Sequence, residues 1–113
     1  MKNKIILITG ATSGLGEAMA KSFAKQGAKI IGTGRRADRL KKLQKQLGKN
    51  FLGLEFDIRD ETAIKKALRE LPKSWAKIDV LINNAGLLDL DISWVFSSEI
   101  DCVFNWNSKA QQI

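Results

Sequence analysis

The stretch IILITGATSGLG, residues 5–16, constrains the fold more than any other part of this 113-residue chain. Ile5, Ile6, Leu7 and Ile8 follow one another with no polar residue between them, which reads as a strand buried on both faces. Thr9 to Gly16 then supplies three glycines just before a stretch with helical character. A strand that passes through such a loop into a helix aims the free N–H groups of the helix at whatever lies beyond the strand end, and that position suits an anion. Each glycine has its own reason. Gly10 permits the sharp turn, Gly14 lets backbone approach a pyrophosphate, and Gly16 lets the helix pack close to the strand. The rival reading is a tight βα turn with no ligand.

The same alternation continues along the chain. Apolar runs at 4–9, 29–33, 51–56 and 79–83 read as strands, and amphipathic stretches at 15–26, 37–47 and 61–71 read as helices, in the order β-α-β-α-β-α-β. Gly27 and Gly48 are placed to end the first two helices, Asp60 to cap the third, and Pro72 to close it. Apolar strands separated by helices imply a parallel sheet covered on both faces. With right-handed crossovers this is one half of a doubly wound α/β fold. The strand at 79–83 is expected at an edge of that sheet, and an uncovered apolar edge associates. Trp94, Phe96, Phe104 and Trp106 are the residues available to fold over it.

Composition narrows the classes further. A hydrophobic content of 44% is enough for one modest domain with a core. The net charge of +7 invites a nucleic-acid partner, yet the basic residues are interspersed with acidic ones and are densest in RRADRLKKLQKQLGK, where they read as a solvated helix face. No nucleic-acid partner is expected. Cys102 stands alone, histidine is absent, and no Cys/His spacing suits a metal, all of which fits a reducing, cytoplasmic setting. The first apolar run is too short for a secretion signal and none is long enough to cross a bilayer, so no membrane partner is expected.

TGATSGLG is similar to the TGxxxGxG signature of the short-chain dehydrogenase/reductase family, and Asn83-Asn84-Ala85-Gly86 resembles its NNAG motif. The resemblance covers residues 5–87. It implies a Rossmann-type doubly wound sheet, with 1–87 as an NADP-binding half-domain, and hydride transfer between NAD(P) and an alcohol or carbonyl. GTGRRADRL, FDIRD and LPKSWAKIDVLINNAGL most resemble bacterial NADP-dependent 3-hydroxy acid dehydrogenases of the serine-oxidising kind. The cofactor residues implied are Gly10, Thr12, Ser13, Gly14, Leu15 and Gly16 in the loop, then Arg35, Arg36, Asp57, Ile58 and Asn84.

Charge supports NADP over NAD. Binders of NAD place an acid at the end of the second strand for the ribose hydroxyls, and here Gly34 stands there, followed by Arg35 and Arg36. A guanidinium fork suits a ribose phosphate, although both arginines also read as surface charges. Asp57-Ile58 resembles the family's adenine contact, with the carboxylate taking the exocyclic amine. Asp57 reads equally as a strand-end residue that caps a turn. Asn84 is expected beside the adenosine ribose and Asn83 as a tie to the neighbouring strand, two roles that are interchangeable at this level; a plain turn is the lesser reading of the motif.

Residues 88–113 form a divergent tail in which one trace of the family remains. Residues 101–110 resemble its D-x-V-F-x-V-N-x-K-A run, which would place the start of the long interface helix here and make Asn107 the asparagine of the Asn-Ser-Tyr-Lys tetrad. A plain apolar helix face of Phe96, Ile100, Val103 and Phe104 explains the same residues. The serine and the Tyr-x-x-x-Lys pair have no match, and the chain contains no tyrosine. The expectation is a truncated cofactor-binding half, from a disrupted gene or a longer product, inactive alone. The alternative is a non-catalytic NADP-binding or interaction module that self-associates or pairs with a full-length homologue through its sheet edge.

Overall fold

The computed structural model describes residues 2–57, 59–86 and 102–107, with backbone alone from residue 85 onward. Its strands are β1 (Ile5–Thr9), β2 (Lys29–Gly34), β3 (Phe51–Glu55), β4 (Val80–Gly86) and β5 (Cys102–Asn107), and its α-helices are α1 (Gly14–Lys25), α2 (Ala37–Leu47) and α3 (Glu61–Arg69). Every residue of β1 is buried, and the period of two sends its side chains into separate cores. Ile6 and Ile8 pack with Ile30, Phe51 and Ile82 beneath Ala20 of α1 and Leu40 and Leu43 of α2. Ile5 and Leu7 pack with Ile31 and Leu81 on the other face, beneath Ile64 of α3 and Trp75. Helices thus cover both faces, as continuous apolar strands require.

The sheet runs β3-β2-β1-β4-β5 with every pairing parallel. Ile6 to Ile8 of β1 stand opposite Ile30 to Gly32 on one side and Val80 to Ile82 on the other. The chain winds outward from β1 through β2 to β3 and then returns to β4, so the order reverses between β1 and β4. Ligands of open α/β sheets bind outside the carboxyl ends of the strands at such a reversal.

The helix ends follow their sequence signals. Gly27 takes φ 92°, while its N–H bonds the Ala24 carbonyl and that of Ala28 the Phe23 carbonyl. These paired bonds satisfy carbonyls that the end of α1 would otherwise leave bare. Gly48 is likewise left-handed at φ 66° after α2. Asp60 caps α3 by accepting the Ala63 N–H at 3.1 Å.

Two expectations are corrected at the other end of the chain. β4 runs on to Gly86, and it is not an edge, because β5 pairs with it from Val80↔Cys102 to Gly86↔Asn107. Among the described residues the edges are β3 and β5. Cys102–Asn107 is therefore a strand, neither the start of a helix nor an apolar helix face. Val103, Phe104 and Trp106 suit a strand intrinsically, and the backbone of β4 offers hydrogen-bonding groups that a helix would have left unpaired on that side. Phe104 and Trp106 belong to β5 itself, while Trp94, Phe96 and Ile100 lie outside the described residues. Among the described residues no helix is long and apolar enough to cross a membrane.

Candidate cofactor-binding site

The carboxyl ends of the strands gather the residues singled out in the sequence. The glycine loop follows β1, Arg35 and Arg36 follow β2, Asp57 follows β3, Asn84 lies near the end of β4, and the Asn107 backbone ends β5. Ile58 lies outside the described residues.

The loop leaves β1 through Gly10, whose φ of 69° is the left-handed turn that glycine adopts without strain. Ser13 precedes α1 in extended conformation but does not cap it with its side chain. Its hydroxyl instead donates to the Gly10 carbonyl at 2.8 Å. The N–H groups of a helix's first turn have no intrahelical partner, and here the first to find one is that of Glu17, on the Ser13 carbonyl at 2.7 Å. The N–H groups of Gly14, Leu15 and Gly16 thus have no partner within the helix and stand at its positive end. The two remaining glycines differ sharply. A β-carbon on Gly14 would meet no described atom within 4 Å, whereas one on Gly16 would overlap the Gly10 carbonyl. Gly16 is required by packing inside the chain. Among the described residues nothing requires Gly14, and the open side of the loop lies there. Leu15 is exposed beside it.

Thr9 joins the loop to β4. Its hydroxyl donates to Asn83 Oδ1 at 2.9 Å in the buried sheet and accepts the Asn84 N–H at 2.9 Å. The Asn84 side chain turns the other way, donating to the Gly10 carbonyl at 3.3 Å and reaching Ser13 Oγ at 3.4 Å. Asn83 is therefore the tie between strands, and Asn84 reaches the glycine loop.

The end of β2 is bound to the same loop by the Ala11 N–H on the Thr33 carbonyl at 3.0 Å. A side chain on Gly34 would press on Thr12, whose Cγ2 and Oγ1 would lie 3.1 Å from its β-carbon. The position that would carry an acid is thus crowded by Thr12 of the loop. Arg35 and Arg36 follow it, both exposed, and Arg39 of α2 approaches the Thr12 carbonyl at 3.4 Å. Asp57 accepts the backbone N–H of Arg59 at 2.9 Å and both arms of its guanidinium at 3.2 and 2.9 Å. This is the turn-capping geometry, and the Arg59 hydrogen bonds hold the carboxyl down at about 2. The sequence reading passed over Arg59 and Thr9. An acid two residues before an arginine at a strand end was the available signal for the first, and a polar residue closing an otherwise apolar strand for the second.

The family model described as short chain dehydrogenase matches residues 4–111. The chain belongs to the short chain dehydrogenase family. It is 56% identical over 87 residues to a protein of Haemophilus influenzae named "Probable NADP-dependent dehydrogenase", covering 77% of this chain and 34% of the relative. It is 61% identical over 82 residues to serine 3-dehydrogenase of Rhizobium radiobacter, covering 73% of this chain and 33% of the relative. Among solved short chain dehydrogenases, the closed form of a serine dehydrogenase complexed with NADP+ superposes with a TM-score of 0.68 at 45% identity, over 69% of this chain and 32% of that one. The chain spans about a third of the length of the curated relatives it matches. Asn107, read as the tetrad asparagine from the resemblance of residues 101–110 to the family's run, stands at the end of strand β5.

Proposed function

We propose that this chain is the NADP(H)-binding portion of a short chain dehydrogenase. The observation that carries the reading is the end of β2, where the place of an acid is held by Gly34 against Thr12 and two exposed arginines follow. The relatives named for NADP and the NADP+ complex support it. The N–H groups of Gly14, Leu15 and Gly16 would hold the pyrophosphate, and Arg35 and Arg36 the ribose phosphate. The Asp57 carboxylate keeps acceptor capacity beyond its bonds to Arg59 and would take the adenine amine. Asn84, which braces the loop, would flank the ribose. When bound, the cofactor supplies a nicotinamide ring that accepts or donates hydride.

The reaction proposed for the whole dehydrogenase is oxidation of a 3-hydroxy acid of the serine class, in keeping with the names of its relatives. These residues alone hold the cofactor without turning it over. Carbonyl and alcohol chemistry needs a positioned acid or base, which typically contributes about 10²–10⁴-fold. The chain has neither tyrosine nor histidine to serve. The test is NADPH fluorescence for binding, paired with nicotinamide absorbance against serine and 3-hydroxy acids. Binding without turnover is expected. Turnover that disappears with Gly14→Asp would overturn the non-catalytic part, and failure to bind NADPH would overturn the reading itself.

A further inference from the structure

The carboxylate of Asp57 lies between two guanidinium groups. Arg59 grips it through both oxygens at 2.9 and 3.2 Å, while Arg35 Nη1 stops 3.7 Å from Oδ2 with 68% of its side chain exposed. The shorter, forked pair has the better geometry. An anion at this place is a liability for a site that must hold a second anion. An unpaired Asp57 would draw Arg35 to itself and would also repel a phosphate held beside it. With both oxygens gripped by Arg59, the Arg35 contact is the longer and looser of the two ion pairs on Asp57, and most of the Arg35 side chain stays exposed at the end of β2.

We infer that Arg59 is a positioning residue for cofactor selectivity: by holding Asp57 in a bidentate pair, it keeps Arg35 available to a 2′-phosphate on the adenosine ribose. The inference rests on the NADP reading above. It assigns Arg59 no contact with the dinucleotide, and it makes the selectivity of the β2 end depend on a residue beyond β3. A lysine at 59 would keep the charge and lose the fork.

The experiment uses the 113-residue chain and two probes, adenosine 2′,5′-bisphosphate and AMP, titrated by calorimetry. Arg59→Ala should weaken the bisphosphate about 3- to 5-fold, the range of a partly exposed ion pair, and leave AMP unchanged. Adding Asp57→Asn to that variant should restore the ratio of bisphosphate to AMP affinity, because the competing charge is gone and any loss at the adenine falls on both probes alike. If Arg59→Ala does not fold, Arg59→Lys should still shift the ratio of the two affinities by about 2-fold in the same direction. Equal weakening of both probes without recovery in the double variant would mean that Arg59 only caps the turn. A ratio that Arg59→Ala and Arg59→Lys both leave unchanged would overturn the inference while sparing the NADP reading. An unmodified chain that does not distinguish the probes would overturn both.

Discussion

The Asn84 amide occupies the space that a β-carbon on Gly16 would need, with Nδ2 only 2.7 Å from that position. The first turn of α1, the exit from β1 and the end of β4 therefore form one rigid corner, and it is the corner from which the free N–H groups emerge. Gly16→Ala should push α1 off this corner and destabilise the chain by about 1–3 kcal/mol, as overpacking does. Urea denaturation would measure the loss, and NADPH affinity should fall with it.

Gly14→Asp should behave in the opposite way. No described atom lies within 4 Å of the added β-carbon, and an acid in the first turn of a helix is favourable. The urea midpoint should hold or rise slightly while NADPH binding is lost, because the new carboxylate sits where the pyrophosphate belongs. A variant that binds as well as the unmodified chain would place the phosphates elsewhere.

Thr9→Val keeps the shape of a fully buried residue but removes the hydroxyl that serves both Asn83 and Asn84. Leaving buried polar groups without that partner costs about 1–3 kcal/mol. Chemical denaturation should show a loss in that range. A neutral result would mean that the two asparagines find other partners without cost.

The glycine loop, the four leading strands and the three helices were legible because each is written locally: an unbroken aliphatic run, amphipathic stretches, and Gly27, Gly48 and Asp60 at the ends. The grouping of Gly10, Arg35, Asp57 and Asn84 followed from topology, since parallel strands bring all their carboxyl ends to one side. β5 was not legible. Val103, Phe104 and Trp106 are apolar in a run too short to separate a period of two from one of 3.6, and the deciding term is pairing with β4, some twenty residues away in sequence. The crowding of Gly34 by Thr12 and the grip of Arg59 on Asp57 are contacts made in the fold, which no spacing rule gives in advance.

The acid response of the Asp57–Arg59 pair follows from the carboxyl being held at about 2, below the ordinary aspartate value of about 3.9 in an unfolded chain. A depressed carboxylate stabilises the fold fully above the unfolded value, and that stabilisation is lost as pH falls toward the folded one. The stability difference between the unmodified chain and Asp57→Asn should therefore be constant from pH 7 to about 5 and shrink below about 4. Urea denaturation at stepped pH would show it. A difference that changes between pH 7 and 5 would contradict the assignment.

The central claim is that the end of β2 selects NADP(H), and the most direct measurement is calorimetric titration of the 113-residue chain with NADPH and NADH, before and after Arg35→Ala/Arg36→Ala. A charge-assisted hydrogen bond contributes about 1.5–3 kcal/mol, and with Arg35 mostly exposed the two arginines together are expected to account for about one such bond. NADPH should bind at least tenfold more tightly than NADH to the unmodified chain, and the double substitution should bring the two together by weakening NADPH alone. Equal affinities in the unmodified chain, or a substitution that weakens both cofactors alike, would contradict the account.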